Sequence, residues 1–238
     1  MDDYFTHYPD YIFRGQADAS WKLEPTLTRA IRNIYPDATD KKSLSKLVLN
    51  TFKKNIRGRC LINFDSAKDD EVWGLGQHYG LYTPLLDWTR SPYAAVYFAL
   101  AGESKSGIRS IYALLEQDVD DLYVAQPSIA DEDKIRIVEP LTHDNSRLVS
   151  QRGLFLYVPP TDSVEVRVEQ LKDQSHVTMY KFTFPDRIRE DALAALNLRN
   201  INSASLFPDI QGSAMQSNYE FAAERHFEKM RETGWPDA

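Results

Sequence analysis

Leu44, Leu47, Val48 and Phe52, with Thr51 among them, recur at steps of three and four residues. That is the period of a helix with one apolar stripe, and it predicts a helix over about 41–65 that Ser43 would cap. Elsewhere the apolar residues come in short runs. Tyr11-Ile12-Phe13 runs into Arg14-Gly15, and Pro84-Leu85-Leu86-Asp87-Trp88 forms a second run. With the stretches 111–115, 153–158 and 178–184, these read as strands, the last two being stopped by Pro159-Pro160 and Pro185. Ser91-Pro92 predicts a helix start, with serine as N-cap and proline at the first helical position. The segment 93–100 behind it is almost wholly apolar, the mark of a helix buried on most sides. A further helix is expected over 186–196, with Ile188, Leu193 and Leu196 on one side.

The stretch 20–28 reads as a loop broken at Pro25. Gly74, Gly76 and Gly80 are expected to break up the segment after Trp73, and the acidic stretch 117–147 to form a loop with short turns. The last 30 or so residues are helical in pattern, with interruptions near Pro208 and Gly212; Phe221, Phe227 and Met230 offer a face for the core or for a partner. No repeat or long linker divides the chain. The expectation is one α+β domain over 1–238, mixed, with mainly antiparallel sheets and surrounding helices, a core at about 10–215 and a C-terminal helix at about 213–233.

Composition narrows the function. The 238 residues are 42% hydrophobic and 26% charged, enough to bury a core without staples. With 28 basic and 35 acidic side chains the net charge is −7, so nucleic-acid binding would need a local basic patch. The single cysteine, Cys60, excludes an intrachain disulfide and a cysteine-rich metal site. Met1-Asp2-Asp3-Tyr4 is acidic and opens no apolar leader, and no run of about 18 apolar residues follows, so a cytoplasmic protein with no membrane partner is expected. His7, His78, His143, His176 and His226 are not spaced as a pair on one helical turn, and phosphate-loop, nucleophile-elbow and dinucleotide fingerprints are missing. No metal is expected.

Four short constellations carry candidate chemistry. Phe13-Arg14-Gly15-Gln16 puts an arginine fork at a strand end, suited to a phosphate or carboxylate, beside a glycine that permits a turn or a close approach; an ordinary salt bridge would also explain it. Gln77-His78-Tyr79-Gly80 followed by Thr83 to Pro92 packs polar groups into a strand–turn–helix. Between Leu86 and Trp88, Asp87 reads as a carboxylate in an apolar setting that needs a partner, Arg14 or the amides opening the Ser91 helix. Capping alone would also account for Asp87, Thr89 and Ser91. His78 is a candidate proton shuttle. Ser150-Gln151-Arg152-Gly153 sets an amide at a strand entry, and Leu206-Phe207-Pro208-Asp209 with Gly212 reads as a rigid bend capped by Asp209.

Taken in order, these pieces resemble the FRG domain family, named for its Phe-Arg-Gly tripeptide. The resemblance rests on Phe13-Arg14-Gly15-Gln16, Gln77-His78-Tyr79-Gly80, Thr83, Leu85-Leu86-Asp87-Trp88-Thr89, Ser91-Pro92, Gln151, Gly153, Phe155, Leu206-Phe207-Pro208-Asp209 and Gly212, from about residue 10 to 215. Pro84 departs from it, standing where a basic residue is expected. The order of the pieces also resembles the ADP-ribosyltransferase superfamily, which implies an ADP-ribosyltransferase-like core and NAD as substrate. On that resemblance Arg14, with Gly15 and Gln16, would bind NAD. Thr83, Thr89 and Ser91 would support the nicotinamide pocket, Tyr79 or Trp88 would stack on the ring, and Gln151 would begin the late catalytic element. Gly153 stands where that superfamily has its catalytic glutamate, which leaves Asp87 or His78 to take the role; Glu220 is one further acid.

The resemblance implies an enzyme that transfers ADP-ribose to RNA or protein, a toxin or effector of a toxin–antitoxin or phage-defence system, with an antitoxin or chaperone as partner. Two alternatives stand beside it. One is a nucleotide-binding sensor without catalysis. The other is a metal-independent nuclease using His78 and Asp87 as acid and base.

Overall fold

The computed structural model describes residues 10–59, 67–121, 123, 128–140, 146–161, 163–171 and 179–233. His7, Cys60, His143, His176 and the end of the helix expected to reach 65 lie outside them. The apolar runs become strands: β1 (Tyr11–Gln16), β2 (Leu85–Thr89), β3 (Ile108–Leu115), β5 (Gly153–Tyr157) and β6 (Met179–Pro185). A sixth, β4 (Arg136–Val138), comes from the acidic stretch read as a loop. Three residues give too short an alternation to stand out, and β4 forms because β5 offers it an edge. The strands make one sheet in the order β4-β5-β2-β1-β3-β6, antiparallel at every pairing. The α+β class and the antiparallel sheet are as expected.

The sheet has a seam. β1 pairs β3 along its whole length, from Tyr11–Leu115 to Gln16–Ser110, and β2 pairs β5 from Leu85–Tyr157 to Thr89–Gly153. Between β1 and β2 the register consists of the bridge Phe13–Thr89. Two half-sheets therefore meet at one point and part beyond it.

One core runs unbroken behind the seam. Ile12, Tyr112 and Leu114 from one half and Leu86, Trp88, Leu154 and Leu156 from the other share a buried cluster with Val119, Tyr123, Val164 and Val168. On the opposite face the apolar side chains fall into separate clusters. Leu85, Phe155 and Tyr157 pack under α1 (Thr26–Ile34), α2 (Lys41–Asn55) and α3 (Asp69–His78). Phe13, Ile111 and Ala113 pack under Ala95 and Ala99 of α4 (Pro92–Ala101). The other side of α4 meets Leu193, Leu196 and Leu206. α4 is thus sandwiched, which explains its unbroken apolar sequence.

The short helix α5 (Glu116–Asp121) opens the stretch read as a loop, and α6 (Ser146–Ser150) and α7 (Val164–Leu171) lie where no helix was expected. α8 (Arg189–Asn197), α9 (Ser203–Leu206) and α10 (Ile210–Thr233) complete the chain. Phe221 on α10 is 86% exposed, so it does not face the core.

Several local expectations are corrected. Asp40, not Ser43, caps α2, its carboxylate accepting from the Ser43 amide at 2.9 Å. α1 begins one residue after Pro25, inside the expected loop. Gly74 and Gly76 do not break α3. They are there for close packing: a Cβ on Gly74 would lie 2.5 Å from Pro140 Cγ, and one on Gly76 would lie 2.6 Å from Leu81 Cδ2. Gly212 likewise sits inside α10, and only the Pro208 region interrupts the C-terminal helices.

Gly15 is extended, not a turn. A Cβ there would overlap the Ala95 carbonyl oxygen and lie 2.6 Å from the Ala99 nitrogen, both main-chain atoms of α4. Helix backbone cannot give way as a flexible side chain can. Gly15→Ala is expected to destabilise the fold by about 3 kcal/mol, read as a lower urea midpoint. An unchanged midpoint would show that α4 does not rest on β1 in this way.

Candidate functional site

The separation of clusters on the front of the sheet leaves a cavity of about 460 Å3 over the seam. Phe13, Arg14 and Gly15 of β1 line it on one side, and Asp87, Trp88 and Thr89 of β2 on the other. Gln77 and His78 close it from the end of α3, Phe98 from α4, Arg147, Leu148, Gln151 and Phe155 from α6 and β5, and Phe207 from the bend after α9. Its volume falls in the range of small-molecule pockets.

Local sequence explains how these groups arrive. α3 ends in a Schellman turn. Gly80 is left-handed at φ 82°, its amide donates to the Gln77 carbonyl at 3.1 Å, and the Leu81 amide donates to the Gly76 carbonyl at 2.9 Å. Leu81 packs on Gly76, the apolar contact usual in this turn. Gln77 and His78 are thereby fixed in the last helical turn, facing the cavity. On β2, Thr89 Oγ1 donates to the Gln151 carbonyl at 2.6 Å and accepts from the Ser91 amide at 2.9 Å. Ser91 then caps α4 by accepting from the Ala94 amide at 3.2 Å, with Pro92 at the first helical position, as expected.

The polar groups form a chain. Arg14 Nη1 donates to the Asp87 main-chain carbonyl at 2.5 Å and lies 3.8 Å from the Asp87 carboxylate. Gln77 Nε2 donates to both Asp87 carboxylate oxygens at 3.3 Å, and the fully buried Thr83 hydroxyl donates to Gln77 Oε1. Arg14 is thus the partner expected for Asp87. The apolar setting read for Asp87 is corrected: its side chain is 64% exposed, because strand alternation puts it on the face of β2 opposite Leu86, which packs in the core behind. Burial pushes the Arg14 guanidinium below its ordinary value, Asp87 opposes this, and Arg29 adds to it. Arg14 Nε is buried without a hydrogen-bond partner, as are Trp88 Nε1, Gln16 Oε1 and Ser110 Oγ.

The cavity brings together Arg14, Gly15, His78, Asp87, Trp88, Thr89 and Gln151 from the residues singled out in the sequence. The others lie elsewhere. Gln16 is buried behind the strand, donating to the Lys22 carbonyl at 3.4 Å. Thr83 stands behind Gln77, and Ser91 is the helix cap. Tyr79 is 74% exposed, its ring edge-on to His78 at 4.9 Å. Gln151 turns its amide nitrogen to the Leu206 carbonyl at 3.0 Å, which ties α9 to the cavity wall. Glu220 is not in the wall; it accepts from Gln216 at 3.0 Å.

Sequence reasoning left out Phe98, Arg147, Leu148 and Phe207 as site residues. Arg147 binds Asp209 through Nε at 2.7 Å and lies 5.3 Å over the Phe207 ring, and Phe207 meets Phe98 edge-on at 6.1 Å. Asp209 caps α10 as expected, accepting from the Gly212 amide at 2.9 Å; that amide first and Arg147 second hold its carboxyl below the usual range. An arginine alone in the 146–150 stretch carries no local signal; only the bend at Phe207-Pro208-Asp209 hinted at a partner.

Among the described residues no helix is long and apolar enough to cross a membrane, and no group of three or more His, Cys, Asp or Glu side chains is placed to hold a metal ion. No curated protein and no solved structure matches the chain. A family model described as FRG domain matches residues 9–107, the stretch holding β1, β2 and α1 to α4 and hence most of the polar chain at the seam. The chain thus carries a match to the FRG domain over residues 9–107.

Proposed function

We propose that the seam cavity binds NAD and transfers its ADP-ribose to a macromolecule. The observation that carries this reading is that one carboxylate, Asp87, stands among the residues lining the cavity, 64% exposed, beside the cation Arg14 and the imidazole His78. Arg14 has a buried Nε–H still uncommitted, which fits an oxyanion such as the pyrophosphate. Phe98 and Phe207 supply aromatic wall for a flat ring. The ADP-ribosyltransferase-like core belongs to the same proposal. It is supported by Arg14 near the end of the first strand, Thr89 before the buried α4, and Gln151 before β5, all meeting at one cavity.

In the proposed reaction the bond from the nicotinamide nitrogen to the ribose carbon breaks, and its electron pair leaves with nicotinamide. A lone pair of the acceptor forms the new bond, and the acceptor's proton passes to Asp87 or His78. Asp87 would also face the positive charge that develops on the sugar. Such an activity suits an effector of a toxin–antitoxin or phage-defence system, restrained by an antitoxin or chaperone. A nucleotide sensor is the second reading, favoured by the commitment of the Gln151 amide to Leu206 and by Gly153, whose Cβ would lie 2.8 Å from Leu148 Cδ1 and which leaves that position without a carboxylate.

Nicotinamide release from NAD separates the two. The transferase reading expects release to fall at least a hundredfold in Asp87→Asn with NAD binding retained, and binding itself to be lost in Arg14→Ala. Saturable NAD binding with no release by the wild-type protein would leave the sensor; no NAD binding at all would end both. Thr83→Val keeps the side chain's shape but leaves Gln77 Oε1 without its donor. A loss of about 1–2 kcal/mol in stability is expected, with a weaker hold on Asp87 that lowers release several-fold. A thermal midpoint and rate equal to wild type would remove Thr83 from the relay.

A further inference from the structure

We propose that the macromolecular acceptor is a single-stranded nucleic acid, docked along the edge formed by the C-terminal end of α2 and the loop after α3. Across most of the molecule, cations are paired with acids: Arg32 with Glu24, Lys42 with Asp133, Lys46 with Glu132, Arg90 with Glu116 and Glu139, Arg136 with Asp70, Arg147 with Asp209. At the end of α2 this pattern stops. Lys54, Arg57 and Arg59 are exposed and make no ion pair within the described residues. Lys68 joins them, because Lys53 bridges Asp69 at 2.6 Å and so brings the start of α3 alongside. Residues 53–59 and 67–71 hold five cations, Lys53, Lys54, Arg57, Arg59 and Lys68, against three carboxylates, of which Asp69 is bridged by Lys53 and Asp70 by Arg136. In a chain of net charge −7, a cluster of this sign is a local attractor for phosphates.

The patch leads to the cavity. α3 begins beside it and ends at Gln77 and His78, a run of about 15 Å at the helical rise. At the cavity end Tyr79 is 74% exposed and Tyr82 53% exposed, on either side of the anchored Leu81. Leu81 and Phe52 of α2 both pack over Gly76, so the tyrosines and the basic end of α2 share one edge. Cations that follow a backbone, then aromatic faces open to solvent, are what unpaired bases need; a duplex hides those faces in its own stack. The span from patch to cavity suits a strand of about four nucleotides or more. Placing the strand's reactive group at the cavity rests on the transferase reading; the docking itself does not.

The test is fluorescence anisotropy without NAD, using a labelled single-stranded RNA of about 12 nucleotides, long enough for such a site. Wild-type binding is expected to weaken at least tenfold in the triple variant Lys54→Glu, Arg57→Glu, Arg59→Glu, with a salt slope smaller by about 2. Tyr79→Ala is expected to weaken it at least fivefold. Nicotinamide release into water should be unchanged in the triple variant, whose substitutions are remote from the cavity. Equal binding by wild type and triple variant, equal binding of a duplex of the same sequence, or equally good competition by polyglutamate would overturn the proposal, the last pointing to an acidic protein instead. RNA binding with no nicotinamide release would defeat the transferase reading alone. Release without RNA binding would defeat the docking alone.

Discussion

Where β1 and β2 part, the main-chain carbonyl of Asp87 has no strand amide to meet, and the guanidinium of Arg14 meets it instead. A carbonyl at the edge of a sheet has to be satisfied by something, and water would do so loosely. A planar cation does so rigidly and carries its charge into the gap. That bond links the half-sheets beyond the point where their ladder ends, and the shared core joins them behind. The cavity lies in front of it. The remaining polar groups are arranged around this bond: Gln77 steadies the Asp87 carboxylate, Thr83 steadies Gln77, and the Schellman turn at Gly80 fixes where Gln77 can stand.

Much of this was legible where the signal is local. Ser91-Pro92 marked the start of α4 because serine capping and a proline lacking an amide act within one turn. The runs at 11–13, 85–88 and 153–158 marked strands because each is too short to be a buried helix. The glycines were misleading. Gly74, Gly76 and Gly15 looked like points of backbone freedom, yet each is small because a neighbour presses on it: Pro140, Leu81 and the backbone of α4. Pro140 and α4 reach Gly74 and Gly15 from more than 60 residues away, beyond any sequence window.

The same limit shaped the site. Leu86-Asp87-Trp88 looked like a buried acid because both flanking residues are buried, but strand alternation sends Asp87 to the opposite, open face. Tyr79 stood beside His78 in the sequence and yet turns outward. Arg147 and Phe207 reach the cavity from distant parts of the chain through their contact with each other and with Asp209. Pairing across such distances is a property of the sheet order, which periodicity does not encode.

The single Phe13–Thr89 bridge also bears on how the chain is made. Residues 9–107, the stretch that carries the family signature, contain β1 and β2, while their ladder partners β3 and β5 begin at Ile108 and Gly153. As the polypeptide leaves the ribosome, the signature-bearing part emerges with its two apolar strands nearly unpaired. β2 stays without its main partner until β5 is complete at Tyr157, roughly 50 residues later, a delay of roughly 3–10 seconds at usual elongation rates. Until then the nascent chain presents unpaired strand edges, which favour misassociation.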